Sequence, residues 1–167
     1  TGHLLLAEHW LPIRSEFIRS DLFMVVIQPG AVAAVLVLFW RRLFDLFRTW
    51  RQPESRDYLL KLGIAFVVTG VGGLTIKKLG FELPEDILPV ALAILIGGVL
   101  FLLIEWWLKS RTTTSEITWT IAIAMGIAQI LAAVFPGLSR SGSTILIALA
   151  FGLARPQAAE FSFLLGI

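Results

Sequence analysis

Long apolar runs without charge set the first limit on what this chain can fold into. Residues 22–40 are 19 consecutive positions without a charged side chain, and residues 87–104 and 117–135 are likewise uncharged. A further run, residues 58–76, contains one charge, Lys61, close to its start. Each run is long enough to cross the hydrocarbon core of a bilayer as a helix. The pattern predicts an all-α integral membrane protein with multi-pass transmembrane helices at about 22–40, 58–76, 87–104 and 117–135.

The composition agrees with this class and excludes several others. Of 167 residues, 57% are hydrophobic and 16% are charged, with a mean hydropathy of +0.84, which is far from a soluble domain. The net charge of +2 is too small to indicate a nucleic-acid partner, and the basic residues cluster at the ends of the apolar runs, as in membrane flanks. The chain contains no cysteine, so a disulfide framework, a thiolate nucleophile and a cysteine metal site are excluded.

The last third of the chain has a different pattern from the spans. Residues 141–154 are apolar but number only 14, which is about 21 Å of helix against a hydrocarbon core of roughly 30 Å. A Pro-Gly break precedes them and Arg155-Pro156 follows them. We therefore expect a re-entrant half-helix within residues 136–154 and the start of a further helix at residues 156–167, all in one transmembrane domain covering residues 1–167.

The break itself, FPGLSRSGST at residues 135–144, is the strongest functional signal in the sequence. Pro136 and Gly137 interrupt a helix, and the chain then restarts near Ser141 with free backbone N–H groups. An arginine flanked by apolar runs is costly to bury and indicates a functional site. A helix N-terminus with hydroxyls and an arginine is an anion site, and phosphate is its usual ligand. The structural alternative is a capped helix restart whose arginine extends to the lipid headgroups.

The candidate site residues follow from this stretch. Ser141 and Thr144 share one helix face by their spacing, and Ser139 and Arg140 lie in the turn ahead of them. His3 could act as base or nucleophile near neutral pH, although a single histidine near a chain end is more often a surface residue. Gln129 and Glu160 flank the stretch, and they either bind substrate or lock helices together.

The basic residues also predict the orientation of the spans. Residues 41–61 carry six Lys and Arg, against two near each of the turns at Lys77 and Lys109. The positive-inside rule places residues 41–61 on the cytoplasmic side. Counting spans from there places residues 136–141 and His3 on the outer side of the membrane.

The stretch around Arg140 and several other segments resemble a known protein family. PGLSRSGST at residues 136–144 and EFSFLL at residues 160–165 are similar to the undecaprenyl-diphosphate phosphatase family, also called bacitracin-resistance proteins. TGH at residues 1–3 resembles the end of the first motif of that family, and VVIQPG (25–30) and FWRRLF (39–44) resemble further segments. The family pattern PGxSRSxxT is matched in full, by Pro136, Gly137, Ser139, Arg140, Ser141 and Thr144.

The resemblance implies a fold of transmembrane helices with two re-entrant segments related as inverted repeats. It also implies hydrolysis of undecaprenyl diphosphate, an isoprenoid diphosphate lipid, to undecaprenyl phosphate at the outer face of the bacterial plasma membrane. Arg140 would clamp the diphosphate, Ser139, Ser141 and Thr144 would hold its oxygens, and His3 or one serine would be the nucleophile. Substrate binding would further involve Gly137, Gly142, Gln129 and Glu160. The sequence leaves open the choice of nucleophile, the lipid length and whether the protein forms a homo-oligomer.

The resemblance further implies a divalent cation, Mg or Ca. The first motif of the family has two glutamates, thought to serve metal and diphosphate handling, shortly before its TGH, and residues 1–167 do not include them. We therefore expect no metal ligand within this chain. We also expect the chain to be a fragment of a longer protein and to be inactive alone.

Two other functions are compatible with the same residues. A transporter or flippase for a polyprenyl phosphate would also use inverted repeats, broken helices and a half-helix N-terminus facing an anion. A structural membrane scaffold is the third alternative, and it predicts that Arg140→Ala leaves function intact.

Overall fold

The computed structural model describes residues 21–80, 87–108, 112–135 and 137–167. Within these ranges the chain is all-helical, as the sequence predicts, and the only strand-like feature is an isolated bridge between Thr114 and Leu153. The helices are α1 (Asp21–Arg48), α2 (Pro53–Lys78), α3 (Ile87–Leu108), α4 (Trp119–Val134), α5 (Arg140–Ala150) and α6 (Arg155–Leu165).

The first three helices extend beyond the apolar runs of the sequence. Helix α1 continues through Arg41 and Arg42 to Arg48, and α2 begins at Pro53 after a turn of only four residues, 49–52. Proline suits this first helical position because an N–H group there has no intrahelical acceptor, so a residue without an N–H loses no hydrogen bond. Arginine and leucine are good helix formers, so the charges mark the end of the apolar run and not the end of the helix.

Among the helices in the described part of the chain, two, Pro53–Lys78 and Leu88–Leu108, are long and apolar enough to cross a membrane, and Trp119–Val134 is a shorter apolar helix. Large apolar side chains on the outer helices are exposed, with Val37 at 74%, Phe47 at 84% and Leu102 at 72%. Exposed apolar surface on this scale indicates contact with an apolar environment such as lipid. These features agree with a membrane protein.

The core lies where α2, α4, α5 and α6 meet. Met125, Leu149 and Phe161 are its largest fully buried side chains, and alanines fill the spaces between them. At Gly126 a Cβ atom would lie 2.8 Å from the carbonyl oxygen of Ala65 on α2. Small residues at such positions let two helix backbones approach closely, which is how helices commonly pack in membranes.

Helices α4 and α5 form a hairpin whose two outer ends are joined by backbone hydrogen bonds. The Thr114 N–H donates to the Gly152 carbonyl at 2.9 Å, and the Ala154 N–H donates to the Thr114 carbonyl at 2.7 Å. The 16 residues of α4 measure roughly 24 Å and the 11 residues of α5 roughly 17 Å. The turn between them therefore lies at the far end of the hairpin from Thr114.

The region around Thr114 is also tied to α3. Arg155, at the start of α6, donates from Nε to Oε1 of Glu105 at 2.8 Å and from Nη2 to Oε2 of the same carboxylate. These hydrogen bonds raise the pKa of the exposed Arg155 guanidinium. The ion pair keeps the end of α3 beside the open end of the hairpin.

Candidate active site

The turn between α4 and α5 depends on one glycine. Gly137 has a φ of +104°, a conformation that L side chains rarely adopt, and a Cβ there would lie 2.6 Å from the carbonyl oxygen of Val90. The next N–H, that of Leu138, donates to the Phe135 carbonyl at 3.1 Å. Pro136 of the predicted break lies outside the described residues. The turn thus passes against α3 so closely that no side chain fits at residue 137.

Ser139 caps the helix that follows the turn. Its Oγ accepts from the Gly142 N–H at 3.1 Å, and its carbonyl accepts from the Ser143 N–H at 2.8 Å. Helix α5 begins at Arg140, one residue before the predicted restart, because Ser139 already supplies the cap. The N–H groups of Arg140 and Ser141 have no intrahelical partner, as in the first turn of any α-helix. With the Ser139 and Ser141 hydroxyl oxygens 3.4 Å apart, these groups offer an anion several donors at the positive end of the helix dipole.

Arg140 extends from this turn toward α6. Its Nη2 donates to the carbonyl oxygen of Gly166, the C-terminal cap of α6, at 3.1 Å. The negative end of a helix dipole is a favourable place for a cation. A guanidinium has five N–H donors, so this contact fixes the side chain while leaving donor capacity for an anionic ligand.

Thr144 is placed differently from the expectation that its hydroxyl holds a substrate oxygen. It is fully buried, and its Oγ1 lies 2.5 Å from the Ser162 hydroxyl of α6. The same Oγ1 is within hydrogen-bond distance of the carbonyl oxygens of Arg140, at 3.2 Å, and Ser141, at 3.0 Å. The spacing from Ser141 does place it one turn along the helix, but the packing of α6 covers it. In this geometry Thr144 holds the first turn of α5 against α6.

Gln129 and Glu160 contact other helices. The Thr69 hydroxyl of α2 lies 2.9 Å from Gln129 Oε1, and Gln129 is buried. Glu160 Oε1 accepts from Arg42 Nε at 2.8 Å and from the Tyr58 hydroxyl at 3.1 Å. The Gln129 contact joins α4 to α2, and the Glu160 contacts join α6 to α1 and α2. Both residues thus hold helices together, which is one of the two roles that the sequence predicts for them. Their role in substrate binding stays a prediction.

Glu160 also lines a polar pocket of about 450 Å³ that contains none of the site residues of α5. Its charged lining residues come from α1, α2, α6 and the segment before α4: Arg42, Glu54, Asp57, Lys61, Glu116 and Glu160. Lys61 is buried and donates to Asp57 at 2.5 Å. The pocket thus holds an ion pair between helices, Arg42–Glu160, and an ion pair within α2, Lys61–Asp57.

His3 lies outside the described residues, so its role stays a prediction. Among the residues that the structure describes, no three His, Cys, Asp or Glu side chains come together in a way that could hold a metal ion. The donors at the turn are N–H groups, hydroxyls and a guanidinium, which suit an anion and do not suit a divalent cation.

An apolar groove of about 430 Å³ opens beside the turn, between α3, α4 and α5. Ser139 and Gly142 lie on its wall, together with Gly97, Gly98 and Phe101 of α3. The candidate anion site and the groove therefore share residues.

Sequence reasoning missed the residues that support the site from α6. Ser162 pairs with Thr144, and Gly166 receives Arg140, yet neither is in the motif that draws attention to α5. One signal was available, because a hydroxyl in an apolar helix is costly unless it is paired. Ser162 and Thr144 are such hydroxyls in neighbouring short helices.

Replacing Ser162 by alanine is expected to lower the free energy of unfolding by about 1 kcal/mol, the usual net value of a buried hydrogen bond. Thr144 keeps its carbonyl acceptors, so the protein should still fold. Thermal unfolding of Ser162→Ala, Thr144→Val and the double variant forms a mutant cycle that measures the coupling of the two hydroxyls. Strictly additive effects would contradict the direct pairing.

Known proteins are similar in sequence to this chain over its whole length. The family model for the bacitracin resistance protein BacA matches residues 1–167. A protein of Rhizobium etli named undecaprenyl-diphosphatase is 53% identical over 168 residues, which cover 100% of this chain and 62% of that protein. Proteins of the same name from Xylella fastidiosa and Xanthomonas axonopodis pv. citri are each 48% identical with the same coverage. The chain spans about 62% of the length of these relatives.

Proposed function

Since the chain belongs to the bacitracin resistance protein BacA family, we propose that the protein hydrolyses undecaprenyl diphosphate to undecaprenyl phosphate and inorganic phosphate. The relatives of about 50% identity carry the name undecaprenyl-diphosphatase. The observation that carries the proposal is the N-terminal turn of α5, where Ser139, Arg140 and Ser141 offer N–H, hydroxyl and guanidinium donors at one place. Recycling of this lipid carrier for cell-wall synthesis, and with it resistance to bacitracin, would follow from the activity.

The donors at the turn suit the charge that develops in phosphoryl transfer. Attack on the terminal phosphorus forms one bond to the nucleophile, P–O for serine or water and P–N for histidine, and breaks the bond to the bridging oxygen, which leaves with undecaprenyl phosphate. After attack by a side chain, water would then hydrolyse the phosphorylated residue to release inorganic phosphate. Negative charge grows on the bridging oxygen and is spread over the non-bridging oxygens. Arg140 and the first N–H groups of α5 would hold these oxygens in fixed positions, so little reorganisation is needed during the reaction. The nucleophile, a serine of the turn, His3 or water, stays open.

Thr144 has a supporting part in this proposal. Its buried contact with Ser162 fixes the first turn of α5, and with it the direction of the N–H groups that the diphosphate would meet. Arg140 is directed in a comparable way by the Gly166 carbonyl. The supporting shell thus comes from α6, while the groups that touch substrate come from α5 and its cap.

The α4–α5 hairpin supports a re-entrant placement of the site. Both helices are shorter than the roughly 30 Å hydrocarbon core, and the hydrogen bonds at Thr114 hold the two outer ends of the hairpin together. The chain would therefore enter and leave on one side of the membrane. Residues 117–135, which the sequence predicts as a fourth span, would then form the first arm of a re-entrant hairpin and not a full crossing. With that side cytoplasmic, as the basic residues predict, the turn extends toward the outer face of the plasma membrane. The inverted repeat that the resemblance implies is part of the same proposal.

A divalent cation requirement is a further proposal, based on the resemblance alone. Among the described residues, no group of three His, Cys, Asp or Glu side chains could hold this ion. Adding EDTA to an assay of phosphate release from undecaprenyl diphosphate tests this requirement.

A polyprenyl-phosphate transporter is the second candidate function. The observation in its favour is α5, a half-helix whose N-terminus faces an anion site, since transporters use this geometry too. Both functions need the same donors for binding, but only the phosphatase cleaves the lipid.

The test of the proposed function is phosphate release by the protein expressed from its complete gene and purified in detergent. Undecaprenyl diphosphate is the substrate, and inorganic phosphate is measured over time. Multiple turnovers support the phosphatase. Binding of the lipid by well-folded protein without phosphate release would overturn the phosphatase and favour transport.

A further inference from the structure

The polar pocket that Glu160 lines has no part in the proposed function. It has a volume of about 450 Å³ and lies between α1, α2, α6 and the segment before α4. Ser115 and Glu116, which follow Thr114 in the chain, are among its lining residues, so the pocket lies at the opposite end of the hairpin from the α5 turn. Its volume is in the range of sites for small organic molecules. The pocket therefore has room for a ligand of its own.

The charges that line the pocket do not cancel. Four carboxylates and two cationic side chains line it, and each of the two cations already forms an ion pair with one of the carboxylates. The other two carboxylates are those of Glu54 and Glu116, and no side chain in the described part of the chain forms an ion pair with either of them. Both are exposed, so a ligand can reach them from outside. The pocket thus favours a positively charged ligand.

One buried acceptor in the pocket has no hydrogen-bond partner. Gln157, in the first turn of α6, lines the pocket, and its Oε1 is buried. Within the described ranges, no group donates a hydrogen bond to this oxygen, and it is the one buried side-chain N or O atom of which that is true. Buried acceptors without a donor are destabilising, so in folded proteins they usually meet a ligand or an ordered water. Gln157 therefore indicates that a donor binds in the pocket.

The lining suits an organic donor better than a metal ion. Among the described residues, no three His, Cys, Asp or Glu side chains come together in a way that could hold a metal. An amide oxygen and dispersed carboxylates suit a group that carries both positive charge and N–H donors. A primary ammonium has both, because three N–H groups surround one charged nitrogen. A quaternary ammonium has the charge alone and would leave the oxygen of Gln157 unpaired.

We propose that this pocket binds a primary ammonium group, at a site separate from the candidate anion site of the α5 turn. Gln157 Oε1 accepts a hydrogen bond from the ammonium, and Glu54 and Glu116 compensate its charge. Two sources carry this group, the headgroup of phosphatidylethanolamine and a soluble diamine such as putrescine. Glu54 and Gln157 lie in the first turns of α2 and α6, and the ends of membrane helices are where headgroups and water both have access.

The test measures binding by the protein expressed from its complete gene and reconstituted in nanodiscs. Native mass spectrometry compares how much phosphatidylethanolamine and phosphatidylcholine the protein retains from a mixed bilayer, and calorimetry measures the Kd for putrescine in phosphatidylcholine alone. Preferential retention of phosphatidylethanolamine supports the proposal with the lipid as the source, and binding of putrescine supports it with the soluble diamine. Tetramethylammonium, which has no N–H donor, should not bind.

Three variants locate the binding site. Gln157→Leu and Glu116→Gln should each weaken ammonium binding by about tenfold, the usual effect of losing one hydrogen bond or attraction that involves a charged group. Both should fold, because Gln157 Oε1 has no partner to lose and Glu116 is exposed. Asp45→Asn is the matched control, since Asp45 is an exposed carboxylate of α1 that does not line the pocket, and it should bind like wild type.

Two results would overturn the proposal. If wild-type protein neither prefers phosphatidylethanolamine nor binds putrescine, the pocket contains water only. If ammonium binds but neither pocket variant weakens it, the ammonium site lies elsewhere. The measurement uses no diphosphate substrate, so either result leaves the phosphatase proposal intact, and a failure of phosphate release leaves this proposal intact.

Discussion

Replacing Arg140 by alanine is expected to reduce phosphate release from undecaprenyl diphosphate by about a thousandfold or more, the usual cost of losing a guanidinium that stabilises phosphoryl transfer. The reason lies in its position. Arg140 is the first residue of α5, between Ser139 and Ser141 in the chain, and its Nη2 donates to the Gly166 carbonyl at 3.1 Å. The folded state should persist, because the side chain is exposed and makes one hydrogen bond to α6.

Matched variants separate this effect from a general loss of positive charge. Arg140→Lys keeps the charge but not the bidentate fork, so it should recover only part of the activity. Arg51 is exposed on the α1–α2 turn, 5.2 Å from the ring centroid of Trp50, and Arg51→Ala should behave like wild type. An Arg140→Ala variant with the circular dichroism spectrum and the activity of wild type would contradict the assignment and favour the scaffold alternative.

Replacing Ser139 by aspartate is expected to abolish activity while the helix stays capped. Aspartate and asparagine are both good N-cap residues. The free energy of unfolding of Ser139→Asp and of Ser139→Asn should therefore each lie within about 1 kcal/mol of the wild-type value. Aspartate places a negative charge where the diphosphate would lie, and like charges in close contact cost several kcal/mol. The aspartate variant should therefore be at least about a hundredfold less active than the asparagine variant.

The comparison uses two side chains of nearly the same size, so a steric effect would lower both activities together. Equal and measurable activities of the two variants in the phosphate-release assay would show that no anion approaches Ser139. That result would remove the turn from the site even if the protein were a phosphatase.

Much of the site could be predicted because its signals are local. The Pro-Gly break, the restart of the helix and the hydroxyls around Arg140 all lie within ten residues, and the capping role of Ser139 follows from backbone geometry that short sequences encode. The positive φ of Gly137 belongs to the same local turn. The short length of α5 was likewise visible as an apolar run too short to span.

What could not be predicted depends on packing between distant parts of the chain. The burial of Thr144 under Ser162 and the pairing of Glu160 with Arg42, 118 positions apart, depend on how α6 lies against α5 and α1. The charge pattern also does not locate the end of the first helix. The apolar run ends at residue 40, where charged residues begin, but α1 continues through these residues to Arg48. The bridge between Thr114 and Leu153 is made by backbone hydrogen bonds between two loops. Backbone groups are the same in every residue, so the side chains of these loops do not predict it.

The central claim, that the first turn of α5 binds the diphosphate, is tested most directly by binding without turnover. A methylene-bridged bisphosphonate analogue of undecaprenyl diphosphate, which cannot be cleaved, is titrated calorimetrically into wild-type protein, Arg140→Ala, Ser139→Asp and Arg51→Ala. Wild type and Arg51→Ala should bind with the same Kd, and Arg140→Ala and Ser139→Asp should bind at least about a hundredfold more weakly. Equal binding by all four proteins would contradict the account and place the diphosphate site elsewhere in the protein.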